Sequence, residues 1–194
     1  MTRAVPARPA LFLARAAVHA EMLKLLTLPA LWLTAALTLA VVALLGEPVH
    51  AQAGLLVFGA LAVTHEYQGG GQIRAAVLAV PRRPALLAAK LTAVTVTAAP
   101  LAALAALLAD RPDITGDLMV TAALAATAGM LIRHPAGTIA ILLSCHLLAG
   151  PILRARLPAT DGWLPDTVGA WQPALAWTAA LLVPAAVTFA RRDA

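Results

Sequence analysis

Six apolar runs, rich in Ala, Leu and Val, alternate with short polar segments along the 194-residue chain. They cover residues 28–45, 51–67, 91–109, 118–132, 138–153 and 173–190. A membrane span usually takes about 20 residues. The fourth run has 15 residues and reaches only about 22 Å as a helix, so flanking residues or a thinned bilayer must complete it. The pattern predicts an all-α membrane protein, a six-transmembrane-helix bundle that forms one transmembrane domain over residues 1–194.

The composition favours the same class. Hydrophobic residues make up 61% of the chain, charged residues only 12%, and the mean hydropathy is +0.86. These values are too apolar for a water-soluble globular domain. The abundance of Ala also suits helices that pack closely inside a membrane through small residues. We therefore expect a multi-pass protein in contact with membrane lipid.

The charged residues are distributed unevenly between the two sides of such a bundle. With six crossings, eleven of the fourteen basic residues fall on the side of the termini, against three on the other side, which carries six of the nine acidic residues. By the positive-inside rule, both termini and the segment 65–90 face the cytoplasm. The net charge of +5 is then a topology signal, and nucleic acid is not an expected partner. The expected location is the cell (plasma or inner) membrane.

The segment before the first run, residues 9–27, has a helical pattern of its own. Four apolar residues fall within one helical arc: Leu11, Val18, Met22 and Leu25. Arg15 and His19 lie beside this arc. The pattern predicts an N-terminal interfacial helix along the cytoplasmic leaflet.

The polar segment 65–90 contains fragments of catalytic motifs but completes none of them. His65-Glu66 would need a second His at position 69 to form a zinc-protease helix, and that position is Gly. A phosphate-binding P-loop needs Lys and then Ser or Thr after its last glycine, where the chain has Gln72-Ile73-Arg74. At 26 residues the segment is also far shorter than a nucleotide-binding domain. We expect no metal site and no ATP hydrolysis by this chain, so it is not predicted to be an enzyme.

Reactive groups within the apolar runs are few. Ser144 and His146 are two positions apart, and such side chains do not face each other on a helix. No Asp, Glu, Lys or Arg lies in the middle of a proposed span, although such charges usually mark ion or proton pathways. His146 is the one deep titratable candidate, interpreted as a structural or pore-facing histidine or as a proton relay.

The pattern within 65–90 predicts a short helix between two breaks. Gly69 to Gly71 permit a sharp turn, and Ile73, Val77 and Val80 recur at helical spacing. Pro81 closes the segment because the residue before a proline avoids helical geometry. The expected product is a small cytoplasmic helix with one apolar face, a shape that can dock into a groove on a protein partner.

The order of residues in this segment resembles the first cytoplasmic loop of ABC-2 type transporter permeases. The residues that carry the resemblance are Glu66-Tyr67, Gly69 to Gly71, Ile73-Arg74, Pro81-Arg82-Arg83 and Ala89-Lys90. Residues 129–140 resemble the family's loop between the fourth and fifth spans, and residues 21–32 and the final RRDA resemble its beginning and end. The likeness covers almost the whole chain.

The resemblance implies that segment 65–90 holds a coupling helix that contacts a separate ATPase subunit. The chain would be the permease of an ATP-binding cassette exporter, without a cofactor of its own, while the partner binds Mg-ATP. A second permease chain, identical or different, would complete the transport pathway. The residues implied to contact the ATPase are Glu66, Tyr67, Gly70, Ile73, Arg74, Val77, Pro81, Arg82, Arg83 and Arg133.

Other interpretations of these residues stay open. Glu66 could be an interfacial carboxylate neutralised by a nearby Arg or Lys, and the arginines could serve as positive-inside anchors. Arg133 could contact a partner or end a helix at the lipid surface. A self-sufficient proton-driven carrier or channel is the alternative function, and it would depend on His146. An intramembrane enzyme would need reactive groups clustered at one depth, which the sequence does not contain.

Overall fold

A computed structural model describes residues 10–68, 83–160 and 162–192, and these residues are helical apart from short connections. The α-helices are α1 (Ala10–Leu26), α2 (Pro29–Leu45), α3 (Pro48–Thr64), α4 (Arg83–Leu108), α5 (Thr115–Ile132), α6 (Pro135–Ser144), α7 (Gly150–Arg156) and α8 (Trp171–Arg192). A π-helical turn, Cys145–Ala149, joins α6 to α7. Short 3₁₀ turns follow α3 at His65–Tyr67 and precede α5 at Pro112–Ile114. The described residues contain no strand, which confirms the all-α class.

The helices support the prediction of a membrane protein, but they do not establish that it has six spans. Three stretches are long and apolar enough to cross a membrane: Arg83–Leu108, Pro112–Ile132 and Pro135–Arg156. A fourth candidate arises if α1 and α2, which are bent by 68° relative to each other, count as one broken span. By contrast, α3 has 17 residues and a length of about 25 Å. The six-span bundle therefore stays a prediction.

Proline and glycine fix several helix ends. Pro29, Pro48 and Pro135 stand at the first turns of α2, α3 and α6, where the missing N–H costs nothing. Gly46 ends α2 with a φ of 71°, a left-handed conformation that glycine adopts without strain. Arg133 ends α5 in the same region, with a φ of 60°.

The core forms where α3 lies against α5. A Cβ atom at Gly59 would collide with the backbone carbonyl of Ala122, so the two helices touch backbone to backbone. Ala60 and Ala126 are fully buried in the same region. Small residues thus allow the close helix packing that is common in membrane bundles.

Large apolar side chains cover much of the outer flank. Trp32, Leu37, Leu44, Leu148 and Val183 are each at least 60% exposed. A soluble monomer rarely exposes apolar patches of this extent. The flank is suited to lipid acyl chains.

The N-terminal helix packs partly against α4. Its buried face includes Ala17, Glu21 and Leu25, while Val18 and Met22 are half-buried. The predicted apolar arc is therefore only part of the buried face, because a carboxylate belongs to that face as well. The helix itself is confirmed, and its position at a membrane interface stays a prediction.

Candidate functional site

Four charged side chains meet at the end of the bundle where α3 ends and α4 begins. We name Glu21, Lys24, Glu66 and Lys90 the charge cluster. The Lys90 ammonium donates to Glu66 Oε2 at 2.5 Å and to Glu21 Oε2 at 3.0 Å. The Lys24 ammonium donates to Glu21 Oε1 at 2.7 Å and to Glu66 Oε1 at 3.2 Å. Each carboxylate oxygen thus accepts one hydrogen bond, and the cluster has no net charge.

The cluster is largely removed from solvent. The exposed fractions are 2% for Glu66, 4% for Lys90 and 6% for Glu21, whereas the Lys24 side chain is 35% exposed. An isolated buried charge is very costly, and pairing with complete hydrogen bonding offsets that cost. The ring of four bonds explains how these charges can lie inside so apolar a bundle.

Three different elements supply the cluster. Glu21 and Lys24 are three positions apart on α1, a spacing that places them on one helix face. Glu66 lies in the 3₁₀ turn after α3, and Lys90 lies near the start of α4. Because Glu66 precedes residues 69–82 and Lys90 follows them, the cluster ties both ends of that segment to α1.

The electrostatic environment keeps Glu66 ionised. Burial alone would raise the pKa of its carboxyl group, but the charges and hydrogen bonds of Lys90 and then Lys24 act more strongly in the opposite direction. The pKa of Glu66 is therefore lowered from its usual value. The Glu66 carboxylate is therefore ionised at neutral pH.

Arg133 joins three elements close to the cluster. Its guanidinium carbon lies 5.1 Å from the centre of the Tyr67 ring, a cation–π contact. Its Nε donates to the carbonyl of Met130 at 3.3 Å, and its Nη2 donates to the carbonyl of Thr188 at 3.5 Å. The side chain therefore caps α5 and contacts both α8 and the turn that carries Glu66.

The structure describes four of the residues that the resemblance implies for partner contact: Glu66, Tyr67, Arg83 and Arg133. It brings Tyr67 and Arg133 together and pairs Glu66 with two lysines, as expected for a carboxylate that is neutralised by nearby cations. Arg83 lies at the start of α4 and lines a groove of about 260 Å³ together with Leu182 of α8. The remaining six lie outside the described residues: Gly70, Ile73, Arg74, Val77, Pro81 and Arg82.

Sequence reasoning missed Glu21 and Lys24 as members of this site. They are separated from their partners by 42 to 69 positions, and no local pattern links residues so far apart. The one signal in the sequence was the Glu-Lys pair at i, i+3 in a helix with an otherwise apolar face. A carboxylate on such a face needs a cation nearby.

At the opposite end of the bundle, another buried carboxylate has different partners. Asp117, in the first turn of α5, is 2% exposed. Its Oδ2 accepts from the Gln52 amide at 2.8 Å and from the backbone N–H of Gly169 at 3.2 Å. This contact fastens the loop before α8 to α3 and α5.

The threonines along the helices bond mainly to their own backbone. Thr34, Thr38, Thr95, Thr121 and Thr127 each donate to the carbonyl four residues earlier. Such back-bonding is common for threonine inside helices. These hydroxyls are thus already used within their helices.

Comparisons of the chain with models of known protein families, with curated proteins and with solved structures gave no match. Within the described segments, no three His, Cys, Asp or Glu residues lie close enough together to hold a metal ion. The charge cluster and the sequence pattern around it are therefore the features of the chain that bear on its function.

Proposed function

We propose that the chain is the membrane-spanning permease subunit of an ATP-binding cassette exporter, similar to ABC-2 type permeases. In this proposal the chain crosses the cell membrane six times and both termini lie in the cytoplasm. A separate ATPase subunit binds Mg-ATP and contacts the segment 65–90. A second permease chain completes the pathway.

The observation that carries the proposal is the position of the charge cluster on both flanks of residues 69–82. Glu66 and Lys90 are bonded directly to each other and, through Glu21, to α1. Separating buried opposite charges is costly because little solvent is present to replace the lost partner. A force applied to the segment between them would therefore move the ends of α3 and α4 and the helix α1 as one unit.

Such a unit is what a permease without its own ATPase needs. Closure of two ATPase partners would push on the segment, and the cluster would transmit the push to three helices. Relative movement of the two permease chains would then alternate the pathway between inward-open and outward-open states. The partner supplies the energy, and the permease supplies the path for the substrate.

Site-specific cross-linking tests the partner contact. A photo-crosslinking residue at Arg82, in the proposed contact segment, should capture an ATPase when the chain is expressed in its native membrane. The matched control is the same residue at Arg156, at the end of α7 and assigned to the opposite side of the membrane. Capture of an ATPase from Arg82 alone supports the proposal.

Three results would contradict it. The first is that neither position captures an ATPase. The second is that an impermeant reagent added outside the cell labels position 82. The third is that the chain is recovered without an ATPase and transport continues in vesicles that lack ATP. The last result would favour the second candidate, a self-sufficient proton-driven carrier or channel.

One observation favours that second candidate. His146 is buried, lines a cavity, and lies near the Arg154–Asp166 ion pair. A proton-driven carrier needs a protonatable group of this kind along its path. It predicts that the purified chain alone transports substrate when a proton gradient is imposed, and that His146→Gln abolishes this transport.

A further inference from the structure

A cavity of about 510 Å³ lies between α5, the line formed by α6, the π turn and α7, and helix α8. Its volume is within the roughly 300–1,000 Å³ that is typical of small-molecule sites. Apolar side chains form most of the wall, among them Leu56, Leu124, Ala128 and Leu181. Ile141 and Trp177 also line it and are about half exposed. The cavity is therefore open towards the apolar flank of the bundle.

Few polar side chains line the cavity, and their hydrogen bonding differs. Thr121 donates to the carbonyl of Asp117. Asp166 forms an ion pair with Arg154 at 2.7 Å, but its two buried carboxylate oxygens have no hydrogen-bond partner among the described residues. The Nε2 atom of His146 is likewise buried and has no hydrogen-bond partner among these residues; His146 as a whole is 6% exposed, and, unlike Asp166, it forms no ion pair that would offset its burial there. A buried polar atom without a hydrogen-bond partner destabilises the protein, and a ligand group that bonds to it removes this cost.

The local helix geometry supports a binding role for this position. The π turn Cys145–Ala149 contains His146, and single π turns inside helices occur frequently at functional sites. Directly after the turn, Gly150 lies so close to the Asp166 carboxylate that a Cβ atom there would collide with it. The absence of a side chain at Gly150 lets the loop before α8 close one end of the cavity.

From these observations we infer that the cavity binds a largely apolar molecule with one hydroxyl group, which hydrogen-bonds to Nε2 of His146. The apolar wall determines the body of the ligand, and the unpartnered His146 nitrogen, which is not part of an ion pair, determines the position of its polar group. A hydroxyl can donate or accept, so it satisfies either tautomer of the imidazole. The opening on the apolar flank gives such a molecule access from the bilayer. This inference goes beyond the proposed function, because binding requires no ATPase.

Cys145 provides an internal reporter of occupancy. It lines the same cavity, its thiol is free and exposed, and it is the only cysteine in the chain. The purified full chain, held in lipid nanodiscs, is alkylated with N-ethylmaleimide, and mass spectrometry follows the rate. The probes are 1-dodecanol and n-tridecane, which differ by one hydroxyl in place of a methyl group.

We expect 1-dodecanol to slow alkylation at concentrations about two- to tenfold lower than n-tridecane, the difference that one net hydrogen bond provides. His146→Phe should remove the difference between the probes while leaving some protection by both. Ala128→Leu narrows the cavity and should weaken protection. The matched control is Leu148→Phe, on the same π turn but 60% exposed and outside the cavity, which should behave like the parent chain.

Equal protection by both probes in the parent chain, or an unchanged difference in His146→Phe, would overturn the inference. Thermal unfolding of each variant shows whether it is folded. The unfolding temperature of Leu148→Phe sets how far the temperatures of the cavity variants can differ from that of the parent chain. A second copy seated in the cavity would shield Cys145 without any probe, in proportion to the dimer fraction, and would also overturn it.

The source of the natural ligand is decided by organic extraction of the purified chain. A resident membrane component that bears a hydroxyl should co-purify with the parent chain and be depleted from Ala128→Leu. If the natural ligand enters only transiently, the extracts of the parent chain and of Ala128→Leu should be alike. Protection of Cys145 by 1-dodecanol would then be the only sign of the site. Either result supports the site when the probes differ as expected.

Discussion

Two sites at opposite ends of the bundle, the charge cluster and the Asp117 contact, bury carboxylates in different ways. At the end that flanks residues 69–82, Glu66 and Glu21 are paired with the ammonium groups of Lys90 and Lys24. At the other end, Asp117 accepts hydrogen bonds from neutral donors, the Gln52 amide and the Gly169 N–H. The first arrangement joins three helical elements through charge, and the second fastens a loop to two helices.

Under the proposed function, this difference separates a site that would transmit a displacement from one that would act as a support. Ion pairs act over several ångströms in an apolar environment, so elements held by charge stay coupled through small movements. Hydrogen bonds to neutral donors depend more steeply on distance and angle. We expect the charge cluster to move as a unit and the Asp117 contact to act as a fixed support.

The largest expected effect comes from Lys90→Met. It leaves two buried carboxylates with Lys24 as their only cluster cation, and removing one partner of a buried ion pair costs about 3–5 kcal/mol. The free energy of unfolding in detergent is the measurement. Lys24→Met should cost clearly less, because the Lys24 side chain is 35% exposed while that of Lys90 is 4% exposed.

A double variant sharpens this prediction. Lys90→Met combined with Glu66→Leu leaves Glu21 paired with Lys24, so the cluster is again neutral and most of the lost stability should return. Equal losses for the two lysine variants, or no recovery in the double variant, would show that the four charges do not act as one cluster.

A smaller effect is expected at the opposite end for Asp117→Ala. The substitution leaves the Gln52 amide and the Gly169 N–H without their acceptor, at a cost of about 1–3 kcal/mol. Proteolysis of the loop that contains Gly169 should become faster. The control is Asp113→Ala, which removes an exposed ion pair with Arg111 and should leave the free energy of unfolding almost unchanged, because solvent screens exposed ion pairs. A similar loss in both variants would argue against a special role for Asp117.

The positions of several helices could be predicted from the sequence because strong local signals mark them. The apolar run 28–45 corresponds to α2, which begins at Pro29 and is ended by Gly46. The run 91–109 lies within α4, which starts at Arg83 and includes Lys90. A lysine normally indicates the edge of a span, and only its pairing with Glu21 and Glu66 allows this one to be buried within a helix. The run 118–132 likewise lies within α5, which starts at Thr115 and includes the buried Asp117.

The site was predictable in part for a similar reason. Glu66 stood out because it lies at the end of an apolar run, and neutralisation by a nearby Arg or Lys was one of its interpretations. Its actual partners depend on how α1 and α4 are placed in space. His146 was identified as the deep titratable residue, but the π turn and the cavity around it have no local signature in the sequence.

The smallest expected effect is the acid dependence of the charge cluster. Because the pKa of Glu66 is lowered in the folded protein, the unfolded chain binds more protons in acid, and stability falls as the pH falls. The contribution of Glu66 should be complete above its unfolded pKa of about 4.3 and should disappear as the pH drops through the lower folded value. Unfolding temperatures measured from neutral pH downward should stay level and then decline.

The Glu66→Gln variant, which is less stable at neutral pH, should show a shallower decline of its unfolding temperature, since its amide does not titrate. An equally steep decline in that variant would assign the acid sensitivity to other carboxylates, and the contrast between the two ends would then lose its electrostatic basis.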